Sequence, residues 1–160
     1  MLTNIAVYKQ IADEAHKKML EAQEAGCRPK PDGSAGSVLA YDPNRTSFKH
    51  AIISVVFTGM WLEALMHQLI VKRYGKERYK DYDPKSYEEK LTLLGCCDEL
   101  LLGRVKKFRN ARKMLVHEKA YFDDDKFTTA QSEAENAHEI LTAIHVHFLT
   151  NYPDDLFLSA

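Results

Sequence analysis

The stretch Ala51–Val71 (AIISVVFTGMWLEALMHQLIV) limits the folds open to this chain more than any other segment. It is long enough to cross a bilayer, which takes about 20 apolar residues. Yet Glu63, His67 and Gln68 interrupt it, and Ser54 and Thr58 add further polar groups. A helix apolar around most of its circumference must be covered by lipid or by other helices. The polar interruptions favour protein, so the segment reads as the central helix of a bundle, with no membrane as partner. A chain of 160 residues, 45% hydrophobic and 28% charged, suits one globular domain with a sizeable core. The formal net charge of −1 supplies no global field toward nucleic acid.

The other segments also repeat at helical spacing. Thr3–Ala25 places Ile5, Tyr8, Ile11, Ala12, Ala15, Met19 and Ala22 on one face, and Gly26 ends it. Cys27 to Asn44 carries Pro29, Pro31, Gly33, Gly36 and Pro43 and reads as a flexible loop over 27–45. Thr46 or Ser47 can cap the second helix, which runs to about Tyr74, where Gly75 stops it. Lys76–Pro84 is then a polar connector. Ser86-Tyr87-Glu88-Glu89 has capping-box spacing and opens a short helix to about Leu94. Gly95 separates it from a long helix, Leu100–Glu118. Thr128-Thr129-Ala130-Gln131 repeats the capping-box spacing before a last helix to about Asn151. Pro153 terminates that helix and opens a tail over 153–160. No segment alternates with period two around a hairpin turn. The expected fold is all-α, a single domain over 1–160: an antiparallel bundle of four long helices plus one short helix.

Cysteine usage points away from a disulfide framework or zinc site. There are three, an odd number, two of them adjacent, with no CxxC. The N-terminus shows no basic leader ahead of an apolar stretch, so no secretory signal is expected and the cytoplasm is the expected compartment. Neither a metal nor another cofactor is expected.

Charge falls unevenly on the helix LLLGRVKKFRNARKMLVHE. At about 100° per residue, Leu101, Val105, Phe108, Leu115 and Val116 lie within about 60° of one line. Arg112 stands at the centre of that line, and His117 follows five residues later. A guanidinium among aliphatic neighbours must find an anion or water. Glu63 is the carboxylate inside the apolar second helix and needs a cation for the same reason. Glu63 and Arg112 are therefore expected to pair, directly or through one water. Arg104, Lys106, Lys107, Arg109 and Lys113 crowd the same helix; the plain reading of such a cluster is a solvated face.

Arg112 and His117 lie about 140° apart around the helix and about 7.5 Å along it. One helix cannot easily aim both at a single phosphate, but a second copy across a two-fold axis can complete the pair. A homodimer with this helix in its interface is therefore expected. Glu135-x-x-His138, with the weaker Asp13 and His16 pair and Glu63, gives an alternative: a metal-binding carboxylate-bundle oxidase. Such sites need two Glu-x-x-His elements, and the chain has one true copy. His145 and His147 point to different helix faces. Tyr74, Tyr79, Tyr82 and Tyr87 could stack bases or cover the connector around the short helix.

The run Phe108-Arg109-Asn110-Ala111-Arg112-Lys113-Met114-Leu115-Val116-His117-Glu118 resembles the signature of the HEPN superfamily, the higher eukaryotes and prokaryotes nucleotide-binding domains. That signature is an arginine, four to six residues, then a histidine, near the end of a long helix; here it is Arg112-x4-His117. Glu63 within WLEALMHQLI, the short SYEEKLTLL helix and the acidic, alanine-rich AQSEAENAHEIL opening are also similar, so the likeness spans Thr46 to Tyr152. The resemblance implies a helical bundle that dimerises, with both motifs at a shared cleft. It implies RNA or a nucleotide as ligand and metal-independent endoribonuclease activity of toxin or defence type, with an antitoxin protein as possible partner. Other members bind nucleotides, RNA or protein without cleaving, which is the alternative reading. By this resemblance Arg112 is the phosphate-binding arginine and His117 the acid–base residue; Arg109, Lys113, Asn110 and Lys106, close by on the same helix, are expected as RNA contacts. The position after the arginine, usually Asn, Asp or His, is Lys113. Two residues after the histidine, where toxins paired with a nucleotidyltransferase usually carry tyrosine, stands Lys119.

Overall fold

A computed structural model describes residues 4–39, 42–116 and 129–155. The helices are α1 (Asn4–Gly26), α2 (Thr46–Tyr82), α3 (Tyr87–Leu93), α4 (Glu99–Val116) and α5 (Ala130–Asn151), with short strands β1 (Cys27–Pro29) and β2 (Ser37–Leu39). The described residues thus form an all-α bundle of four long helices and one short one. α2 is its centre: Val55, Leu62, Leu65, Met66, Leu69 and Ile70 are fully buried, and Trp61 is 1% exposed. Among the described residues α2 alone has the length and apolarity of a membrane span, and half of its apolar window is buried inside the bundle.

Three contacts set the direction of α5 against α2. Gln131 Nε2 donates to Ser47 Oγ at 3.2 Å, the Trp61 and His145 rings lie 6.3 Å apart, and Lys72 and Arg73 both reach Asp155 just past α5. Partners stay 84 residues apart at the first contact and 83 and 82 at the last two. A nearly constant offset means that α2 and α5 run parallel, as the second and fourth long helices of an alternating bundle must. α1 runs against them: its His16 meets His138, while Lys9, earlier on α1, acts on His145, later on α5. α4 lies across α5 through Arg104, which bonds Asn136 and pairs with Glu139.

The structure departs from the sequence expectations at the joints. Part of the 27–45 loop is a hairpin: β1 and β2 pair antiparallel with Cys27 opposite Leu39 and Pro29 opposite Ser37. Strands of three residues are too short to show alternation, and the turn uses glycines at positive φ, Gly33 (72°) and Gly36 (106°). Gly75 (φ 84°, ψ 166°) breaks α2 without ending it, and the supposed connector resumes the helix to Tyr82. Tyr79 packs edge-on against His67 at 4.3 Å, and Tyr74 donates to the Leu93 carbonyl at 2.9 Å, which holds that extension in place. Neither Thr46 nor Ser47 caps α2. Arg45 occupies the cap in the left-handed region, and Asp42 Oδ2 accepts the Ser47 N–H at 2.8 Å. α5 is capped by Thr129, whose hydroxyl accepts the Ser132 N–H; Thr128 lies outside the described residues.

The start of the 153–160 tail is tied down. Asp155 is 5% exposed and accepts from Lys72 and Arg73, and the Arg73 guanidinium stacks 3.1 Å over the Tyr152 ring. Tyr152 in turn donates to the Leu94 carbonyl at 3.1 Å. Removing a buried acceptor from charged donors costs about 1–3 kcal/mol. Asp155→Ala should therefore lower unfolding stability by about that amount in denaturant melts. A change at the level of experimental error would mean that the tail is not docked.

Candidate functional site

The second half of α4 turns one face outward. Arg109, Arg112, Lys113 and Val116 follow the i, i+3, i+4, i+7 pattern and so share that face. Opposite them stands Tyr87, and together these side chains line an open cleft of about 310 Å³. Tyr87 is placed by the capping box of α3. Ser86 Oγ accepts the Glu89 N–H at 3.3 Å, and Glu89 Oε2 accepts the Ser86 N–H at 2.9 Å. Buried Leu91 then anchors α3 in the core. The apolar line of α4 is buried over its first half only, at Leu101, Val105 and Phe108.

Arg112 is held by two groups. Its Nη1 donates to Glu63 Oε1 at 2.7 Å and to the Tyr87 hydroxyl at 2.5 Å. The Tyr87 hydroxyl donates its own proton to the same Glu63 oxygen at 2.5 Å. The three groups close a ring in which a neutral phenol joins the two charges. Burial pushes the Tyr87 phenol well above its usual range, and the bond to Glu63 adds to this while Arg112 opposes it. Tyr87 therefore stays a neutral donor. Among the described residues no acceptor takes Arg112 Nε or Nη2.

The pair sits less deeply than the sequence implies. The side chain of Arg112 is 22% exposed and that of Glu63 49%, so Arg112 is not the most buried position of its helix and Glu63 lies at the rim of α2. The arginine reaches Glu63 over Gly59. A Cβ there would fall 2.6 Å from Arg112 Cζ, so the missing side chain is the space that the guanidinium stem fills.

Of the other residues expected at the site, Arg109 reaches Glu88 through Nε and Nη2, both at 3.3 Å. Lys113 is exposed, with no ion pair among the described residues. Arg109, Arg112 and Lys113 set against Glu63 and Glu88 leave one formal positive charge at the cleft. Asn110 and Lys106 are exposed and stand outside its lining, so the structure does not bring them to Arg112. His117 follows the last residue of α4 in sequence and lies outside the described residues, as does the acidic run Asp123–Asp125. Glu88 and Gly59 are contributors that sequence reasoning missed, and Tyr87, expected to stack bases or cover the connector, instead bonds Glu63 and Arg112. The serine capping box marked the start of α3, but nothing local marked which residue of that turn would face α4.

The carboxylate-bundle constellation does not assemble. Glu63 is turned to Arg112, Glu135 is exposed, and His16 and His138 are stacked with their rings nearly parallel. Among the described residues no group of three or more His, Cys, Asp or Glu side chains is arranged to hold a metal ion. Comparison with known protein families, with curated proteins and with solved structures gives no match to this chain.

Gly59 offers a test of the cleft by sign. Alanine in a helix interior gains about 1 kcal/mol over glycine. Here the gain is opposed by the collision that pushes Arg112 off Glu63 and Tyr87. Gly59→Ala should therefore destabilise the wild-type chain but stabilise an Arg112→Ala chain by about 1 kcal/mol, read as a double-mutant cycle of chemical melts. The same sign in both backgrounds would show that Arg112 does not fill this space.

Proposed function

We propose that this chain is a HEPN-like RNA-binding protein that cleaves RNA as a homodimer, without needing a metal ion. The observation that carries the reading is the cleft face of α4, where Arg109, Arg112 and Lys113 converge and Glu63 and Tyr87 orient Arg112. With Nη1 held and Nε buried, the guanidinium keeps its Nη2 N–H groups for a phosphate. In the proposed reaction His117 removes the proton from a ribose 2′-hydroxyl. The 2′-oxygen bonds to the adjacent phosphorus and the bond to the 5′-oxygen breaks, leaving a 2′,3′-cyclic phosphate. The 5′-oxygen takes a proton from a second acid, the His117 of the other copy. Arg112 stabilises the negative charge that builds on the phosphate oxygens. All of these steps are proton transfers and charge stabilisation, which histidine and arginine can supply near neutral pH.

A second reading is favoured by one feature. Arg112 Nη1 is already engaged by both Glu63 and Tyr87, an arrangement that serves a non-catalytic RNA- or nucleotide-binding module equally well. Incubating the protein with mixed RNA in EDTA separates the two. The nuclease reading expects cleavage that survives EDTA and falls by about 100-fold or more in His117→Ala with the fold retained. Binding without cleavage supports the module, and absence of both overturns the RNA assignment.

The dimer has its own check. Met114 and Val116 are 52% and 50% exposed at the end of α4, apolar surface that a second copy can cover. Light scattering during size exclusion should give twice the 18.3 kDa chain mass at micromolar concentration. A monomer would remove the shared cleft and with it the second acid.

A further inference from the structure

Between α1 and α5, two imidazoles from different helices lie face to face. The rings of His16 (α1) and His138 (α5) are 4.1 Å apart and 8° from parallel. We propose that this pair is a proton-operated latch: with at most one imidazole charged it holds α1 against α5, and when both are charged it opens that seam. The inference is independent of the RNA reading.

The surroundings accommodate one proton and resist a second. Asp13 Oδ1 lies 3.4 Å from His138 Nδ1, so a charge on His138 has a carboxylate beside it. Lys9 Nζ holds the other oxygen of Asp13 at 2.8 Å, which limits what that carboxylate can offer. His16 Nε2 is buried and has no acceptor, so a proton placed there would create a charged donor with nothing to receive it. Asp13 Oδ1, His138 Nδ1 and His145 Nδ1 are likewise buried without a hydrogen bond. Two like charges on parallel rings at this spacing repel, and the partly dry seam screens them poorly.

The facing groups from each packed element are few. α1 supplies Lys9 and Asp13; α5 supplies His138 and His145, while its Glu135 and Glu139 are exposed, the latter paired with Arg104 of α4. By the 84-residue offset α2 puts Ser54 and Thr58 at this level, both buried and uncharged. Its nearest titratable residues along the helix are His50, one turn earlier, and Glu63, turned to Arg112.

The direction of the pH effect follows. Burial first, then His138, holds the His16 pKa below its ordinary value, with Asp13 opposing. Burial and Lys9 hold His145 down in the same way. The unfolded or opened chain takes up these protons near pH 6.5, the closed seam only at lower pH. The seam is therefore at full strength above about pH 6.5 and weakens as pH falls through the lowered value.

The test is hydrogen exchange of the full-length protein from about pH 7.5 to about pH 5.5, corrected for intrinsic rates, beside an NMR titration of the histidine Cε1 protons. The latch predicts that His16 takes its proton only below the ordinary histidine range, with a loss of about tenfold in α1 protection relative to α2. His16→Phe keeps an aromatic ring on His138 but cannot take a proton, and should abolish that relative loss. A His16 that titrates at its ordinary value, α1 and α2 losing protection together, or unchanged acid sensitivity in His16→Phe would each overturn the latch. If His16→Phe does not fold, the wild-type titration and exchange decide by themselves.

Discussion

α2 presents apolar side chains around most of its circumference, and a helix of that kind has no stable existence in water until it is covered. Each fully buried Leu, Ile or Met on it contributes about 1.5–3 kcal/mol. α1 packs along one side, α5 runs parallel along another, and α4 crosses a third. Ser54 and Thr58 of α2 are covered with the apolar positions, while two other polar positions find partners at the covers. Ser47 meets Gln131, and Glu63 emerges at the rim beside α3 and α4.

That rim is where charge could be brought close without full desolvation. A deeply buried ion pair loses as much to desolvation as it gains from attraction. Glu63 and Arg112 avoid most of that loss because both keep contact with water. The Tyr87 hydroxyl improves the arrangement by giving its proton to the carboxylate while accepting one from the guanidinium. The result constrains the direction of Arg112 more than it neutralises it. Gly59 is the steric counterpart of the same arrangement, since the stem of the arginine occupies the volume of a side chain that α2 lacks there.

α4 joins two environments along one helix. Leu101, Val105 and Phe108 bind it to the core, and one turn later the same face carries Arg112 over an open cleft. The cations around it do not form a uniform basic surface: Arg104, Arg109 and Arg112 each have a carboxylate, while Lys106, Lys107 and Lys113 face solvent. The α1–α5 seam carries the other concentration of ionisable groups, and it differs in kind. Its histidines sit against each other with few partners, so protonation there sets charge against charge.

The chain by itself determined the helices, because apolar spacing near 3.6 residues and the Ser86 capping box are local properties. It also determined that Glu63 and Arg112 would seek each other, since each stood alone among apolar neighbours. The β hairpin was hidden because three-residue strands leave no periodic trace, and Gly75 read as a stop because local sequence cannot show that a helix resumes beyond a kink. How deep the charged pair sits, that Tyr87 completes it, that Gly59 makes room for it and that His16 lies on His138 were decided only by tertiary structure. Each depends on which faces of separate helices meet, and that follows from the common requirement to cover α2 rather than from any one segment.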